Sequence, residues 1–200
     1  FISAPDEVMA VRISCAERGM INLSAYIDGR EDYYDDNRPC GKNMILFTGG
    51  SGSRDGIFFA AVLGAKARGG SIRTLGGRIA VEKADEVILI FSVRTSFYGD
   101  NYEKSALIDA EMALKAEYDE LRLHHVNDYK DMFDRVDFSL CDNTEENLDK
   151  LDTAERIKRL RGDELDNKDC ERLIHDNKLI ELYFNFGRYL MISASRPGTQ

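Results

Sequence analysis

The residues able to do chemistry are scattered along this chain rather than gathered into a motif. The histidines are His124, His125 and His175. His124 and His125 are adjacent in a stretch with helical periodicity. Their side chains therefore diverge by about 100° and cannot readily chelate one ion. Packing or capping suits them better. His175 stands alone before an expected helix start at Asp176 and receives no function. The cysteines, Cys15, Cys40, Cys141 and Cys170, contain no Cys-x-x-Cys pair, so a zinc site has no support. Cys15 continues an apolar alternation and is expected as a buried thiol. Four free thiols are expected, because so few cysteines in a chain of this size do not suggest a disulfide framework. No Ser–His–Asp or Cys–His arrangement follows from local spacing. Carboxylates abound, yet abundance does not identify a general acid and base. No metal and no cofactor is expected.

Two loops invite sharper readings and do not sustain them. Gly49-Gly50-Ser51-Gly52-Ser53 is rich in glycine like a phosphate loop. It lacks the following Gly-Lys-Ser/Thr, and it joins two expected strands rather than opening a helix. A hairpin loop fits better. The acidic run Glu31-Asp32 with Asp35-Asp36 lacks EF-hand spacing and its central glycine, and reads as a solvated loop. The aromatic stripe Tyr183, Phe184, Phe186 and Tyr189 is more often core than a sugar platform.

The elements that must position these residues change period halfway along the chain. Met9, Val11, Ile13 and Cys15 alternate with Ala10, Arg12 and Ser14; Ile21, Leu23, Ala25 and Ile27 alternate likewise. Met44–Phe47, Ile72–Thr74, Arg78–Val81 and Glu86–Val93 complete the strand signals. Gly56–Ala67 is apolar on both faces, as in a strand covered by a second sheet, although its period also admits a helix. Arg18-Gly19, Asp28-Gly29, Gly49-Gly50, Gly69-Gly70 and Gly76-Gly77 punctuate the set. Short strands so divided predict an antiparallel sandwich. After Tyr98-Gly99-Asp100 the period becomes helical. Leu107, Ala110, Leu114, Tyr118 and Leu121 form one apolar stripe, and Leu179, Leu182, Tyr183, Phe186, Tyr189 and Leu190 another. Thr144 with Glu145-Glu146 predicts a helix N-terminus. Arg196-Pro197-Gly198 should end the last helix.

Composition sets the outer bounds. The chain has 200 residues, 43% hydrophobic and 32% charged, which suits one domain or parts of two. A net charge of -9 makes nucleic acid and anionic lipid poor partners. No apolar run approaches the roughly 20 residues a membrane helix needs. The chain opens Phe1-Ile2-Ser3-Ala4-Pro5, close to a strand and without an initiator methionine or signal peptide. An internal piece of a longer protein is expected. The compartment stays open between cytoplasmic and secreted.

The tail carries a resemblance. Leu182-Tyr183-Phe184-Asn185-Phe186-Gly187-Arg188-Tyr189, continuing through Ser195-Arg196-Pro197-Gly198-Thr199, closely resembles a segment of glycoside hydrolase family 95. Phe1-Ile2-Ser3-Ala4-Pro5-Asp6-Glu7-Val8 with Val11-Arg12 is similar to a strand of that family's N-terminal sandwich. Ala84-Asp85-Glu86-Val87 with Thr95-Ser96-Phe97 resembles its last strand. His125-Val126-Asn127-Asp128-Tyr129, then Phe133 and Arg135-Val136, looks like its linker helices.

The resemblance implies mixed α and β in separate regions: part of an antiparallel β-sandwich over 1–98, linker helices over 99–140, and the start of an (α/α)6 catalytic barrel over 141–200. It implies an inverting hydrolase releasing terminal α-L-fucose, α-1,2-linked above all, with some relatives acting on α-L-galactose. In the family a Glu is the general acid, and an Asp with two Asn residues activates water. These lie downstream of the Arg-Pro-Gly motif, so no catalytic residue maps onto 1–200. Inversion generally uses two separated groups on opposite faces of the sugar. Arg196 is the one candidate substrate-binding residue; it either touches substrate or braces the loop that follows, and bracing is favoured. The implied partners are an oligosaccharide substrate and the remainder of the barrel. The competing readings are a non-catalytic carbohydrate-binding or scaffold sandwich, and another barrel hydrolase or phosphorylase with this layout. Since few barrel helices fall within the chain, part of the last helix's stripe is expected to lie uncovered.

Overall fold

The computed structural model describes residues 1–53, 55–140, 148–161 and 176–196. They divide into two compact units, Phe1–Asp128 and Tyr129–Gln200.

In the first unit the expected alternations become strands of a sandwich. β1 (Ile2–Ser3), β2 (Val8–Ser14), β3 (Ile21–Tyr26), β4 (Tyr34–Pro39) and β5 (Met44–Gly50) are followed by β6 (Phe58–Arg68), β7 (Ser71–Leu75), β8 (Arg78–Ala84) and β9 (Glu86–Thr95). A six-stranded antiparallel sheet has the order β1-β2-β9-β6-β5-β4, and a three-stranded sheet the order β3-β8-β7. The glycine pairs fall in the turns or at strand ends.

The ambiguous run at 56–67 is a strand, the eleven-residue β6. Its continuous apolar character follows from cover on both faces. Ala60 and Val62 join Val8, Ala10, Leu46 and Ile90 in one core, closed by helices α1 (Tyr102–Lys115) and α2 (Tyr118–Phe133). Leu63 and Ala65 join Ile45 and Val87 in a second core, closed by Ile21, Ile79 and Val81 of the small sheet. The helical cover is close. α1 presents Ala106, Ala110 and Ala113 inward, with Leu107 and Leu114 at the margin. A Cβ added to Gly64 would lie 2.6 Å from Leu114 Cδ1. The stripe expected from Leu107 to Leu121 is split, because Ala116 turns extended (φ −71°, ψ 159°).

Two expectations are corrected. Cys15 is exposed, because β2 ends at Ser14 and the alternation stops with it. Its amide bonds instead to Asp85 O. The acidic segment is not simply a loop: Asp35 and Asp36 lie in β4, the sheet edge paired to β5. Charged side chains and a terminal proline suit an edge strand, whose outer ladder groups face no partner. The glycine-rich loop joins β5 to β6 as a hairpin connection. A Cβ on Gly49 would meet Tyr33 O at 2.1 Å, so chain approach explains that glycine without a phosphate.

In the second unit a short 3-10 turn (Leu148–Lys150) precedes α3 (Thr153–Arg161) and α4 (Asn177–Ala194), the α-helices described beyond the end of α2. Among the described residues no helix is long and apolar enough to cross a membrane. Cys141, Cys170, His175, the Thr144 helix start and Pro197-Gly198-Thr199 lie outside the described residues.

Candidate functional site

Arg196 follows the last turn of α4, and its Nη1 lies 3.6 Å from Met132 Sδ of α2. Beside it, Arg188 Nη2 donates to Phe133 O, and Arg188 Nη1 donates to Asn185 Oδ1 at 3.3 Å. The Arg188 guanidinium also sits 4.2 Å from the Phe133 ring centroid, within cation–π range. Tyr129 stacks on Phe133 at 5.3 Å and meets Tyr189 at 6.2 Å. Burial pushes the Tyr129 phenol up, against a smaller opposing pull from Arg188. The end of α2 and the second half of α4 are thus tied by arginines and aromatic rings. The helical spacing of Phe186 and Tyr189 signalled the stripe; the backbone acceptor at Phe133 had no signal in sequence.

The start of α4 is fixed differently. Asp176 Oδ1 accepts from Leu179 N at 3.0 Å, capping the helix. The same carboxylate takes a two-pronged contact from Arg156 of α3, Nε to Oδ2 at 2.8 Å and Nη2 to Oδ1 at 2.7 Å. Both side chains are nearly inaccessible. The Arg156 hydrogen bonds hold the Asp176 carboxyl below its ordinary range, against burial. Between α3 and α4 lies an open apolar groove of about 570 Å3, lined by Ile157, Leu160, Leu179, Leu182, Tyr183 and Phe186. Leu179 is buried, whereas Leu182, Tyr183, Phe186 and Leu190 are exposed.

The first unit carries its own polar constellation. His124 Nδ1 lies 3.0 Å from Asp6 Oδ1, and that contact raises the His124 pKa. His125 turns away to stack on Phe1 at 5.2 Å. The divergence expected of adjacent helical histidines therefore holds, and each packs on the N-terminal segment. Arg94, near the end of β9, donates from Nε to Asp109 Oδ2 of α1 at 2.7 Å, with Glu7 Oε2 3.4 Å from its Nη1. Sequence reasoning missed this pair, because its members lie in different elements and neither sits in a motif. Among the described residues no cluster of three or more metal-ligating side chains occurs.

Comparison with known proteins agrees in order along the chain. Residues 117–200 match the glycosyl hydrolase family 95 catalytic domain, and residues 1–100 match the glycosyl hydrolase family 65 N-terminal domain. The chain is similar to "Alpha-L-fucosidase 2" of Arabidopsis thaliana, 28% identical over 233 residues, covering 100% of this chain and 26% of that protein. It is similar also to "Probable alpha-fucosidase A" of Aspergillus niger, 25% identical over 221 residues with the same two shares. The chain spans about a quarter of the length of these curated relatives.

Proposed function

We propose that this chain, which matches a family 65-type N-terminal domain over residues 1–100 and the family 95 catalytic domain over residues 117–200, is part of a glycoside hydrolase family 95 enzyme releasing terminal α-L-fucose from oligosaccharides or glycans. The observation that carries the reading is the serial match: an N-terminal sandwich domain followed by a catalytic-domain opening, with similarity to fucosidases along the entire chain. In this reading residues 1–98 belong to the sandwich, 99–140 link it onward, and 141–200 begin the catalytic barrel. The exposed apolar face of α4 is where further barrel helices pack.

The reaction inverts the anomeric centre and acts on α-1,2-linked fucose, as the sequence resemblance implies. Inversion places an acid on one face of the sugar and an activated water on the other. No residue of 1–200 is assigned to either task. Arg196 braces the loop leaving α4; its contact to Met132 supports bracing over a purely substrate-facing role.

The test is fucose release by the complete protein from an α-1,2-fucosylated oligosaccharide, followed by proton NMR. β-L-Fucose as the first product supports the proposal, whereas α-L-fucose first overturns inversion. Binding of fucosyl glycans with no release would replace the proposal by the non-catalytic reading. The 200-residue chain by itself should release none; turnover by it would relocate the acid and base into these residues.

A further inference from the structure

At one end of the sandwich three segments meet: the exit of β3, the β7–β8 hairpin turn and the edge strand β4 of the large sheet. They line an open cleft of about 420 Å3, with Tyr26, Asp28, Asn37, Leu75, Gly77 and Arg78 among its walls. That volume falls within the roughly 300–1,000 Å3 of small-molecule sites. The hairpin is tight: Leu75 pairs with Arg78, and Gly76 between them takes φ +57°. Gly77 is constrained by approach instead. A Cβ there would lie 2.5 Å from Asn37 Cγ and Nδ2 and 2.6 Å from its Oδ1, so the Asn37 amide rests directly on the turn.

We propose that this cleft binds one unit of an uncharged sugar, with Asn37 and Arg78 sharing its hydroxyls and Tyr26 and Leu75 giving it an apolar wall. Four observations carry the proposal. First, Asn37 Oδ1 is shut off from solvent and accepts no hydrogen bond, and Nδ2 donates none among the described residues. Buried polar groups are nearly always paired, so this amide calls for a donor that the chain does not supply. Its terminal torsion is broad, and a modest turn of the amide presents Oδ1 to the cleft it lines. Second, the Arg78 guanidinium sits 4.6 Å from the Tyr26 ring centroid and makes no hydrogen bond or ion pair among the described residues. The ring engages the face of the guanidinium, which leaves the in-plane N–H groups unspent. The same contact holds Arg78 in place, so ordering it on binding costs little. Third, Asp28 and Arg78 are the charged groups of the wall, and their charges cancel. That balance disfavours phosphate, sulfate, uronate or polyamine ligands. Both side chains are exposed, and screening weakens their hold on a zwitterion. Asp28 Oδ1 accepts from Gly29 N at 2.9 Å, which orients the carboxylate beside the cleft. Fourth, Tyr26 is 53% exposed and Leu75 54% exposed, so apolar carbon borders the polar groups. A sugar presents C–H and O–H surface together and matches that mixture.

The inference rests on the fucosidase reading only for the choice of probe sugars. The experiment is an NMR titration of the 15N-labelled chain with L-fucose, D-galactose and a fucosyl-galactose disaccharide. Glucuronate and L-alanine serve as anionic and zwitterionic controls. The expected result is saturable shifts at the amides of Asp28, Asn37, Gly77 and Arg78 and at the Asn37 side-chain NH2, with neutral sugars only. Asn37→Ala removes an amide that makes no hydrogen bond among the described residues, so the fold is retained while the affinity falls roughly threefold to tenfold. Gly77→Ala is the second variant. It drives a Cβ into the Asn37 amide and should weaken binding with every polar group of the cleft still present. Far-UV circular dichroism of both variants checks the fold. No saturable shift at these residues overturns the proposal, and water alone then serves Asn37. So do equal shifts with glucuronate or L-alanine, or affinities that neither folded variant changes. Fucose release by the complete protein is measured separately. Failure of sugar to bind in this cleft, with release intact, sinks this inference alone; failure of release, with binding intact, sinks only the proposed activity.

Discussion

The two units solve the burial of apolar surface in opposite ways. In the first, every strand of the central run has cover on both faces, from the small sheet and from α1 with α2. Ile45, Val62, Ile79 and Ile90 are fully inaccessible. In the second, α4 keeps Leu179 inside and leaves Tyr183 and Met191 more than 70% exposed. Its clearest buried tie is polar, the Arg156–Asp176 pair. A unit held by apolar burial and a unit held by a capped ion pair should answer differently to substitution, acid and ligand.

The largest effect expected in the helical unit is therefore electrostatic. Arg156→Ala leaves Asp176 buried without its cation and should cost about 3–5 kcal/mol. The carboxyl is depressed in the folded state, so its contribution is present above the unfolded pKa of about 3.9 and is lost as pH falls through the lower folded value. Amide exchange along α4 should accelerate below pH ~4, and Asp176→Asn should flatten that dependence. An α4 whose protection is the same in wild type and Arg156→Ala would remove the ion pair from the account.

Truncating apolar side chains should separate the units next. Ile90→Ala, within the sheet between both covers, should cost about 2–5 kcal/mol in urea unfolding. Phe186→Ala removes a larger side chain from a half-exposed site and should stay within about 0.5 kcal/mol. Equal losses would mean that the α4 face is covered in solution, for example by self-association. Gly64→Ala comes third. The added carbon would sit 2.6 Å from Leu114 Cδ1, and overpacking of this kind costs about 1–3 kcal/mol. A neutral Gly64→Ala variant would show that α1 can lift from the sheet.

The same contrast explains what was legible in sequence. Strand positions such as Val11 and Ile13, and the glycine pairs at their ends, obey a period-two pattern that local chemistry enforces. The double-faced run at 56–67 predicts cover by a second sheet, although not that the opposite cover is helical. β4 was hidden because an edge strand selects charge rather than alternation, and Asp35-Asp36 therefore looked like loop. Cys15 misled because the alternation outlasts the strand by one residue. The Arg94–Asp109 pair depends on where β9 ends relative to α1, a tertiary fact with no local signature. The resemblance in 182–199 reported ancestry, and ancestry reached what periodicity does not encode.

The smallest expected effect is the one that tests whether the N-terminal segment is tied to the helical cover of the first unit. His124 on α2 faces Asp6, with Glu120 one turn earlier on the same helix; both carboxylates favour the imidazolium. Its pKa is raised on folding, so the stabilisation is fully present below the unfolded value of about 6.5 and disappears as pH rises through the folded value. The contact is solvent-exposed, and screening keeps it weak. Ser3 also bonds Asp6, so the carboxylate stays oriented when the histidine is neutral. The measurement is the urea midpoint of wild type and His124→Asn between pH 5 and pH 8.5. The midpoints should differ at the acid end and converge at the alkaline end. Adding salt at pH 5.5 should shrink the difference. Parallel curves across the whole range would mean that the His124–Asp6 contact is geometry without charge, and that the pairing of β1 with β2 and the packing of Phe1 on His125 and Tyr118 fasten the segment without it.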